Sequence, residues 1–394
     1  MMSNKSVVIV AAKRTALGGF QGQFSSLTAS DLGSFAIKAA IEDSKINPNQ
    51  VDTVHMGCVL PAGQGQAPAR QASLKAGLPL SVPCNTVNKM CGSGMQAAMY
   101  GYNQILAGDA TCVVAGGMES MTNAPYLSPK LRAGLKMGHG EMIDHMFHDG
   151  LQDVKHGKLM GTFAEMCAEK YSFTREQQDI FAITSLERAN AAIQSAAFET
   201  EITPVIVKSR KGETSFAIDE QPPKADINKI RTLRPAFKKD GTVTAANASS
   251  ISDGAAALVL MDAAEANKQG LQPLAKITAQ AVHAQDPDWF STAPVFAIQK
   301  VLKKCGWAVK DVDLFEINEA FAVVTMAAIE ELSLDPNKVN VNGGACALGH
   351  PIGASGARVL VTLIHALKAR QLSKGVATLC IGGGEATAMA IEII

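Results

Sequence analysis

Short apolar runs alternate with amphipathic stretches over most of the chain. The first run, residues 7–11, contains no polar side chain, which is typical of a strand that is buried on both faces of a sheet. Apolar positions then recur at helical spacing after Thr28 and Ser30, either of which can cap a helix. Further apolar runs at 51–59 and 111–117 predict two more strands. This alternation indicates an α/β fold with right-handed crossovers.

The regular pattern is interrupted between residues 119 and 249. Methionine, glycine, histidine, proline and charged residues mix there without a period. Thr174 and Gln177 have the spacing of a capping box, which predicts a helix ending near residue 197, and residues 202–208 predict a strand. We therefore expect 119–249 to be an inserted, loop-rich segment, and long loops of this kind often cover active sites.

The C-terminal part of the chain resembles the N-terminal part. Three matches share their order and a nearly constant offset. They pair Phe35-Ala-Ile-Lys with Phe296-Ala-Ile-Gln, Ser93-Gly94 with Ser355-Gly356, and residues 113–119 with 379–385. These matches indicate a duplicated fold, although αβ units in general resemble one another. In a duplication the two helix starts would lie close together, and ligand sites often form between such halves.

Composition narrows the class of protein. The chain has 394 residues, of which 47% are apolar and 18% charged, so we expect two or three domains with much buried surface. A formal net charge of zero argues against nucleic acid or an acidic membrane as the main partner. No apolar run has transmembrane length, and the chain start lacks the apolar core of a signal peptide. Eight scattered cysteines then indicate reduced thiols in the cytoplasm.

Cys91 is the first candidate for chemistry. It lies in Asn88-Lys-Met-Cys-Gly-Ser-Gly94, directly before a stretch with helical periodicity. A helix N-terminus favours an anion, so this position predicts a lowered thiol pKa and a nucleophilic cysteine. The alternative is a structural, buried cysteine.

Three polar clusters follow in the C-terminal half. Asn318 comes after an apolar strand, His350 lies in the glycine-rich stretch 342–356 before a helix, and Cys380 ends a strand before three glycines. Ligands bind beyond the carboxyl ends of strands in open α/β sheets, so these groups and Cys91 can share one crevice. The glycines lack dinucleotide-binding spacing. The loop histidines fit no standard zinc pattern and are interpreted as solvated, so no metal site is expected: His139, His145, His148 and His156. The other cysteines are interpreted as structural: Cys58, Cys84, Cys112, Cys167, Cys305 and Cys346.

Four blocks together resemble the signature motifs of the thiolases. They are Asn-Lys-Met-Cys91-Gly-Ser-Gly-Met, Asn318-Glu-Ala-Phe-Ala, Gly-His350-Pro-Ile-Gly-Ala-Ser-Gly-Ala-Arg and Cys380-Ile-Gly-Gly-Gly. The resemblance implies an α/β thiolase fold: two similar βαβαβαββ halves in a five-layered αβαβα arrangement with an inserted loop domain. On this basis we predict an N-terminal half (1–118 plus 250–272), an insertion for CoA binding and oligomerisation (119–249) and a C-terminal half (273–394). It also implies a tight dimer, often paired into a homotetramer.

The resemblance further implies a ping-pong Claisen reaction in which two acetyl-CoA molecules give acetoacetyl-CoA and CoA, together with the reverse thiolysis. Cys91 would carry the acyl group, His350 would activate it, and Cys380, with a pKa near working pH, would move the α-proton. A water on Asn318 and His350 would form one oxyanion hole, and the backbone N–H groups of Cys91 and Gly382 the other. The substrates are acyl-CoA and CoA, and no metal or redox cofactor is implied.

The same resemblance assigns the CoA channel. Its matching positions are Ser249, Met160, Phe237, Ala320 and Phe321. The arginine that some members use near the nucleotide is absent, and Lys224 is a weak substitute.

Two departures concern the acyl group. Leu159 replaces a histidine and Phe290 a methionine of many short-chain biosynthetic members. A phenylalanine at position 290 resembles mitochondrial thiolases that accept 2-methyl-branched substrates, and it also occurs in bacterial members that look degradative. Acetyl transfer is the first expectation and a broader 3-ketoacyl-CoA thiolase the second. A ketoacyl synthase relative and an inactive acyl-CoA binding protein are the more distant alternatives.

Overall fold

A mixed sheet of eleven strands runs through the computed structural model, which describes residues 5–210 and 212–394. Residues 1–4, which belong to the chain start interpreted above, and Lys211 lie outside the described residues. The strands are β1 Val7–Thr15, β2 Gly18–Gly19, β3 Thr53–Gly57, β4 Cys84–Val87, β5 Cys112–Ser120, β6 Tyr126–Leu127, β7 Ile143–Asp144, β8 Ile202–Thr203, β9 Val205–Ser209, β10 Gly212–Phe216, β11 Ser252–Asp262, β12 Ala275–Ala284, β13 Leu314–Ile317, β14 Lys374–Ile381 and β15 Glu385–Ile393. The helices are α1 Ala29–Ser44, α2 Pro68–Lys75, α3 Ser93–Ala107, α4 Met160–Tyr171, α5 Arg175–Gln194, α6 Ala263–Lys268, α7 Ala293–Cys305, α8 Ala322–Leu332, α9 Ala345–Leu348 and α10 Ser355–Ala369.

The strand order is β13-β14-β15-β12-β1-β11-β5-β3-β4, with β2 added to β11 and β8 to β1. Strands β3, β4 and β5 are parallel, as are β13 and β14, whereas β11 and β15 run antiparallel to their neighbours. The two halves of the sheet join edge to edge where β1 pairs with β12. The chain therefore builds two similar half-sheets around one junction.

Both half-sheets are covered on both faces, which gives the five αβαβα layers. Helices α1 and α2 cover the N-terminal half-sheet, α3 and α10 lie between the two halves, and α7 and α8 cover the C-terminal half-sheet. Successive residues of β11 point into different cores: Val259 packs with α1, whereas Leu258 and Leu260 pack with α3 and α10. A strand buried on both faces has no polar alternation, which explains the apolar runs of the sequence.

The internal repeat is visible in the central helices. α3 and α10 each have 15 residues, and each begins with Ser-Gly. The third sequence match is out of register, because β5 and β14, the strands after these helices, both begin five residues past the helix end. Residues 113–119 therefore correspond to positions near 375–381 and not to 379–385. In the C-terminal half the counterpart of β4 is reduced to a bridge between Phe315 and Val339.

Glycines allow the two central helices to meet at their first turns. A Cβ added to Gly94 would lie 2.7 Å from the backbone nitrogen of Ala357, and one added to Gly356 would lie 2.3 Å from that of Met95. Backbone approaches of this kind leave no space for a side chain. The Ser-Gly repeat therefore brings the loops before both helices to one place.

The segment predicted to be inserted carries α4, α5 and short strands. Thr174 caps α5 in a capping box with Gln177, as predicted, but the helix ends at Gln194. The strand expected at 202–208 is divided at Pro204 into β8 and β9, because proline has no N–H for a ladder. Among the helices that the described residues form, none has both the length and the apolar character to cross a bilayer.

A buried ion cluster anchors this segment to the sheet. Arg14 of β1 contacts Glu201 at 2.5 Å and Asp219 at 2.7 Å, and all three side chains are inaccessible to solvent. Removal of one partner would leave an uncompensated buried charge, so the cluster fixes where the segment sits.

Candidate active site

A largely apolar cavity of about 360 Å³ lies where the two halves and the inserted segment meet. Cys91, His350, Cys380 and Gly382 line it at one end. Seven of the eight positions assigned above to the CoA channel or the acyl group also line it: Ser249, Leu159, Met160, Phe237, Ala320, Phe321 and Phe290. The cavity thus brings together groups that are separated by almost 300 positions along the chain.

Cys91 lies in a tight turn before α3. Gly92 is the N-cap of that helix, so Cys91 precedes the cap by one residue. The neighbouring Met90 has φ 47°, a left-handed conformation that is uncommon for residues other than glycine. Asn88 Oδ1 accepts the Met90 N–H at 3.0 Å, and the Lys89 N–H donates to Ser93 Oγ at 2.9 Å. The turn holds the sulfur at the cavity wall through local hydrogen bonds.

The expected lowering of the Cys91 pKa is wrong. Burial raises the pKa of the thiol to about 11, and the hydrogen bonds from the backbone N–H groups of Gly382 and Cys91 offset this only in part. The physical reason is that the helix dipole acts within the first turn, whereas the apolar cavity removes water from the sulfur itself. Cys91 is therefore a neutral thiol that must give up its proton to a base.

His350 offers that base. Its Nδ1 lies 2.6 Å from Ser355 Oγ, and this hydroxyl lies 3.0 Å from the carbonyl oxygen of Pro351. Because the hydroxyl donates its only proton to Pro351, we assign the ring proton to Nδ1, donating to Ser355 Oγ. Nε2 then carries a lone pair, and it is buried without a partner among the described residues. Burial lowers the pKa of His350 to about 3, with a smaller contribution from Arg358, so the imidazole is neutral.

Asn318 lies behind the cavity and is not among its lining residues. Its Oδ1 accepts a hydrogen bond from Arg358 Nη2 at 3.3 Å, and Arg358 Nη1 contacts Glu316 Oε1 at 2.7 Å. The Nδ2 group is buried and has no partner among the described residues. A donor left in this state is compatible with the predicted water-holding role, because buried polar groups are normally paired.

Cys380 is the second-to-last residue of β14 and lines the cavity, and Gly383 and Gly384 after the strand have φ 92° and 86°. This left-handed turn favours glycine and lets β14 return directly as β15. Burial raises the pKa of Cys380 well above its ordinary value, and a charge on Cys91 raises it further. The expectation of a thiol pKa near working pH is therefore wrong for the free protein.

Glu119, at the end of β5, connects the loops around the site. Its buried carboxylate accepts hydrogen bonds from the N–H groups of Val59 at 2.9 Å, Leu60 at 3.2 Å and Gly353 at 2.8 Å. Gly353 belongs to the loop of His350, whereas the other two follow β3 of the N-terminal half. Burial raises the pKa of Glu119 to about 7 despite these bonds. One side chain thus fixes loops from both halves.

Aromatic rings form one part of the cavity wall. Phe290 and Phe237 each pack against Phe321 edge to face, with ring centroids 6.2 and 6.0 Å apart. A Cβ on Gly161 would lie 2.3 Å from the ring of Phe237, so glycine is needed for this approach. Edge-to-face pairs of this kind stabilise one arrangement of the wall.

Two sequence interpretations differ from the observed placement. Lys224 does not line the cavity; its ammonium pairs with Glu220 Oε1 at 2.5 Å. His145, interpreted as a solvated loop residue, is buried, and its Nδ1 lies 2.5 Å from Asp149 Oδ2. Within residues 5–210 and 212–394, no group of three or more His, Cys, Asp or Glu side chains is arranged to hold a metal ion.

Sequence reasoning missed the residues that support the site. Glu119, Ser355, Arg358 and Glu316 all lie within or beside a motif or matched segment, but none was named as functional. The signal that could have identified them is a charged residue within an apolar stretch of sequence. Glu316 lies inside a buried strand, and Arg358 lies on a central helix and is only 1% exposed. Buried charges of this kind need partners, and they therefore often hold neighbouring groups in position.

Comparison with known families identifies the class. The thiolase N-terminal domain matches residues 7–264 and the thiolase C-terminal domain matches residues 271–393. The chain therefore belongs to the thiolase family, whose fold is the one described above.

Relatives match over nearly the whole chain. An acetyl-CoA acetyltransferase of Rhizobium meliloti is 52% identical over 392 residues, which cover 99% of this chain and 100% of the relative. A protein of the same name from Schizosaccharomyces pombe is 50% identical over 393 residues, with 99% and 100% coverage. The crystal structure of the Bacillus anthracis acetyl-CoA acetyltransferase superposes with a TM-score of 0.98 at 43% identity and covers 100% of both chains.

Proposed function

We propose that this protein is an acetyl-CoA C-acetyltransferase. It would condense two acetyl-CoA molecules to acetoacetyl-CoA and CoA, and it would catalyse the reverse thiolysis. The observation that carries the proposal is the convergence of Cys91, His350 and Cys380 on one apolar cavity, with the Gly382 N–H directed at the Cys91 sulfur. The names of the relatives at about 50% identity support the choice of acetyl-CoA.

In the first half-reaction, the Cys91 sulfur attacks the carbonyl carbon of acetyl-CoA. The thiol proton passes to His350 Nε2 as the new C–S bond forms, and CoA leaves as a thiolate as the old C–S bond breaks. The neutral state of both groups means that the proton moves during attack rather than before it. The backbone N–H groups of Cys91 and Gly382 are suited to stabilise the oxyanion.

The Cys380 thiol gives its proton to the departing CoA thiolate, and in the second half-reaction the Cys380 thiolate accepts the α-proton of another acetyl-CoA. The resulting enolate attacks the thioester carbonyl, a C–C bond forms, and the proton held by His350 returns to the Cys91 sulfur as it leaves. The unpartnered donor of Asn318 could hold a water for the enolate oxygen.

Thiolysis of acetoacetyl-CoA with CoA, followed through loss of the enolate absorbance, tests the proposal. We expect activity in the wild type and its near-complete loss in Cys91→Ser. A Cys91→Ser protein that keeps the wild-type rate would refute the nucleophile. An inactive wild type that still binds CoA would favour the alternative of an inactive acyl-CoA binding protein.

Cys380→Ser separates the two half-reactions. We expect it to form the acyl-enzyme, detected as a mass increase of one acetyl group, but to condense poorly because a hydroxyl is a much weaker base. Loss of acyl-enzyme formation itself would contradict the assigned role of Cys380.

The second candidate is a broader 3-ketoacyl-CoA thiolase that accepts 2-methyl-branched substrates. Phe290 and Leu159, both in the cavity wall, favour this alternative over a strictly unbranched specificity. Relative thiolysis rates on acetoacetyl-CoA, its 2-methyl derivative and a longer 3-ketoacyl-CoA distinguish the two candidates.

We further infer a homotetramer built as a dimer of dimers, acting in the cytoplasm in fatty acid metabolism. Exposed apolar side chains on one stretch of the inserted segment support an assembly interface, among them Tyr126, Leu131, Met137 and Met142. The steps above balance with protein groups and two acyl-CoA molecules, so the proposal includes no metal, redox cofactor, nucleic acid or membrane partner. Light scattering of the purified protein tests the assembly.

A further inference from the structure

A cluster of lysine, histidine and aspartate side chains connects two walls of the cavity on its outer side. His156 Nε2 lies 3.0 and 3.3 Å from the two carboxylate oxygens of Asp288. Lys155 Nζ lies 3.6 Å from Asp288 Oδ2 and 3.9 Å from Asp286 Oδ1. None of these four residues lines the cavity, and the reaction steps above do not use them. The contacts between His156 and Asp288 are called the clamp below.

The first wall belongs to the segment before α4. Gly150 and Leu151 line the cavity before the loop 152–158, and Leu159 and Met160 line it after the loop. The loop is closed by its own hydrogen bonds, such as those from the Asp153 N–H to the Lys158 carbonyl at 2.8 Å and from the Gly157 N–H to the Asp153 carbonyl at 2.9 Å. Because the loop is closed on itself, a displacement of His156 also displaces the cavity-lining residues directly before and after the loop.

The second wall is the short 3₁₀ helix Pro287–Thr292, which carries Phe290. Gln285 Nε2 donates to the Trp289 carbonyl at 2.5 Å, and its N–H donates to the Gly384 carbonyl at 2.8 Å, which ties this wall to the turn after Cys380. The ammonium of Lys170 lies 4.8 Å from the centre of the Trp289 ring. This wall is thus fixed to the site, and the loop is the part that can move relative to it.

We propose that the clamp determines acyl-group specificity by holding Leu159 against the wall that carries Phe290. This inference rests on the proposed function, since it assigns the acyl group to that part of the cavity. With the clamp closed, the space between the two walls favours a small, unbranched acyl group. With it open, the loop moves outward and a bulkier group fits beside Phe290.

The size of the effect follows from the exposure of the pair. The His156 side chain is 36% exposed and that of Asp288 20% exposed, so the contact is only partly screened by solvent. Partly exposed pairs are typically worth up to about 1 kcal/mol, which corresponds to a change of about threefold to fivefold in selectivity. Lys155 shares the same carboxylate, so Asp288→Ala is expected to have a larger effect than His156→Ala.

The test measures thiolysis of 2-methylacetoacetyl-CoA relative to acetoacetyl-CoA. We expect this ratio to rise about threefold to fivefold in His156→Ala and at least as much in Asp288→Ala. The ratio in the double variant should not exceed that in Asp288→Ala, because Asp288→Ala alone already breaks the contact with His156. The exchanged pair His156→Asp with Asp288→His should restore the wild-type ratio. His139→Ala, an exposed histidine of the same inserted segment, is the matched control and should leave the ratio unchanged.

Hydrogen exchange of peptides spanning 150–160 supplies a readout that does not depend on catalysis. We expect faster exchange there in both single variants and no change in His139→Ala. Unchanged exchange and an unchanged ratio in both single variants, or strictly additive effects in the double variant, would overturn the clamp. A wild type without acetoacetyl-CoA thiolysis would overturn the proposed function, while faster exchange would still report the contact.

Discussion

Ser355→Ala tests whether a hydroxyl that cannot reach the substrate controls the base. Ser355 is fully buried, and its Oγ holds His350 Nδ1 at 2.6 Å. Alanine leaves that ring N–H unpaired, at a cost of about 1–3 kcal/mol. The ring can avoid this cost by moving its proton to Nε2, but it then loses the lone pair that accepts the Cys91 proton. At about 1.36 kcal/mol per decade, we expect acylation to slow roughly 10-fold to 100-fold.

The assay is single-turnover acylation by acetyl-CoA, quenched with acid and followed by the mass of the intact protein. The substrate does not contact Ser355 in the proposed reaction, so KM should change little while the acylation rate falls. Ser44→Ala is the matched control, because that buried hydroxyl at the end of α1 only donates to the Ile41 carbonyl at 2.7 Å and accepts the Ile46 N–H at 3.4 Å. Equal acylation rates in Ser355→Ala and wild type would refute the assigned tautomer.

The remaining predictions concern the pKa shifts and the second oxyanion donor. Because burial raises the pKa of Cys91 to about 11, its alkylation by iodoacetamide should keep rising up to about pH 10; a plateau by pH 8 would contradict the neutral thiol. Glu119 has its pKa raised from 4.5 to about 7, so its contribution to stability is complete below pH 4.5 and is lost as pH rises through 7. The free energy of unfolding, measured in urea, should therefore decline between pH 5 and 7.5. On the order of 3 kcal/mol of this decline should be absent in Glu119→Gln. Asn318→Ala should slow condensation about tenfold or more while acyl-enzyme formation persists, and equal losses in both steps would argue against its role.

The sequence was informative where local pattern and fold agree. Apolar runs predicted the buried strands, and the Ser-Gly repeat predicted two equivalent helix starts, which α3 and α10 confirm. The sequence motifs predicted that Cys91, His350 and Cys380 share one crevice, because each lies near the end of a strand or before a helix. These features depend on residues that are near one another in the chain.

The electrostatics of the site could not be predicted in this way. The helix end beside Cys91 predicted a lowered pKa, yet water exclusion by the cavity walls dominates, and several of those walls come from distant segments. The Glu119 carboxylate binds loops more than 200 positions apart, so no local pattern shows its partners. Likewise, the partner of His156 could not be identified without the packing of the inserted segment on the C-terminal half.

The glycine contact between α3 and α10 has a consequence for how the two halves can vary. Because Gly94 and Gly356 each abut the backbone of the opposite helix, a substitution in either half displaces the other half. Copies that arise by duplication are usually free to diverge, but here each copy constrains the geometry of its twin at one shared point. Neither half could therefore be exchanged for that of a distant homologue unless the incoming helix also has glycine as its second residue.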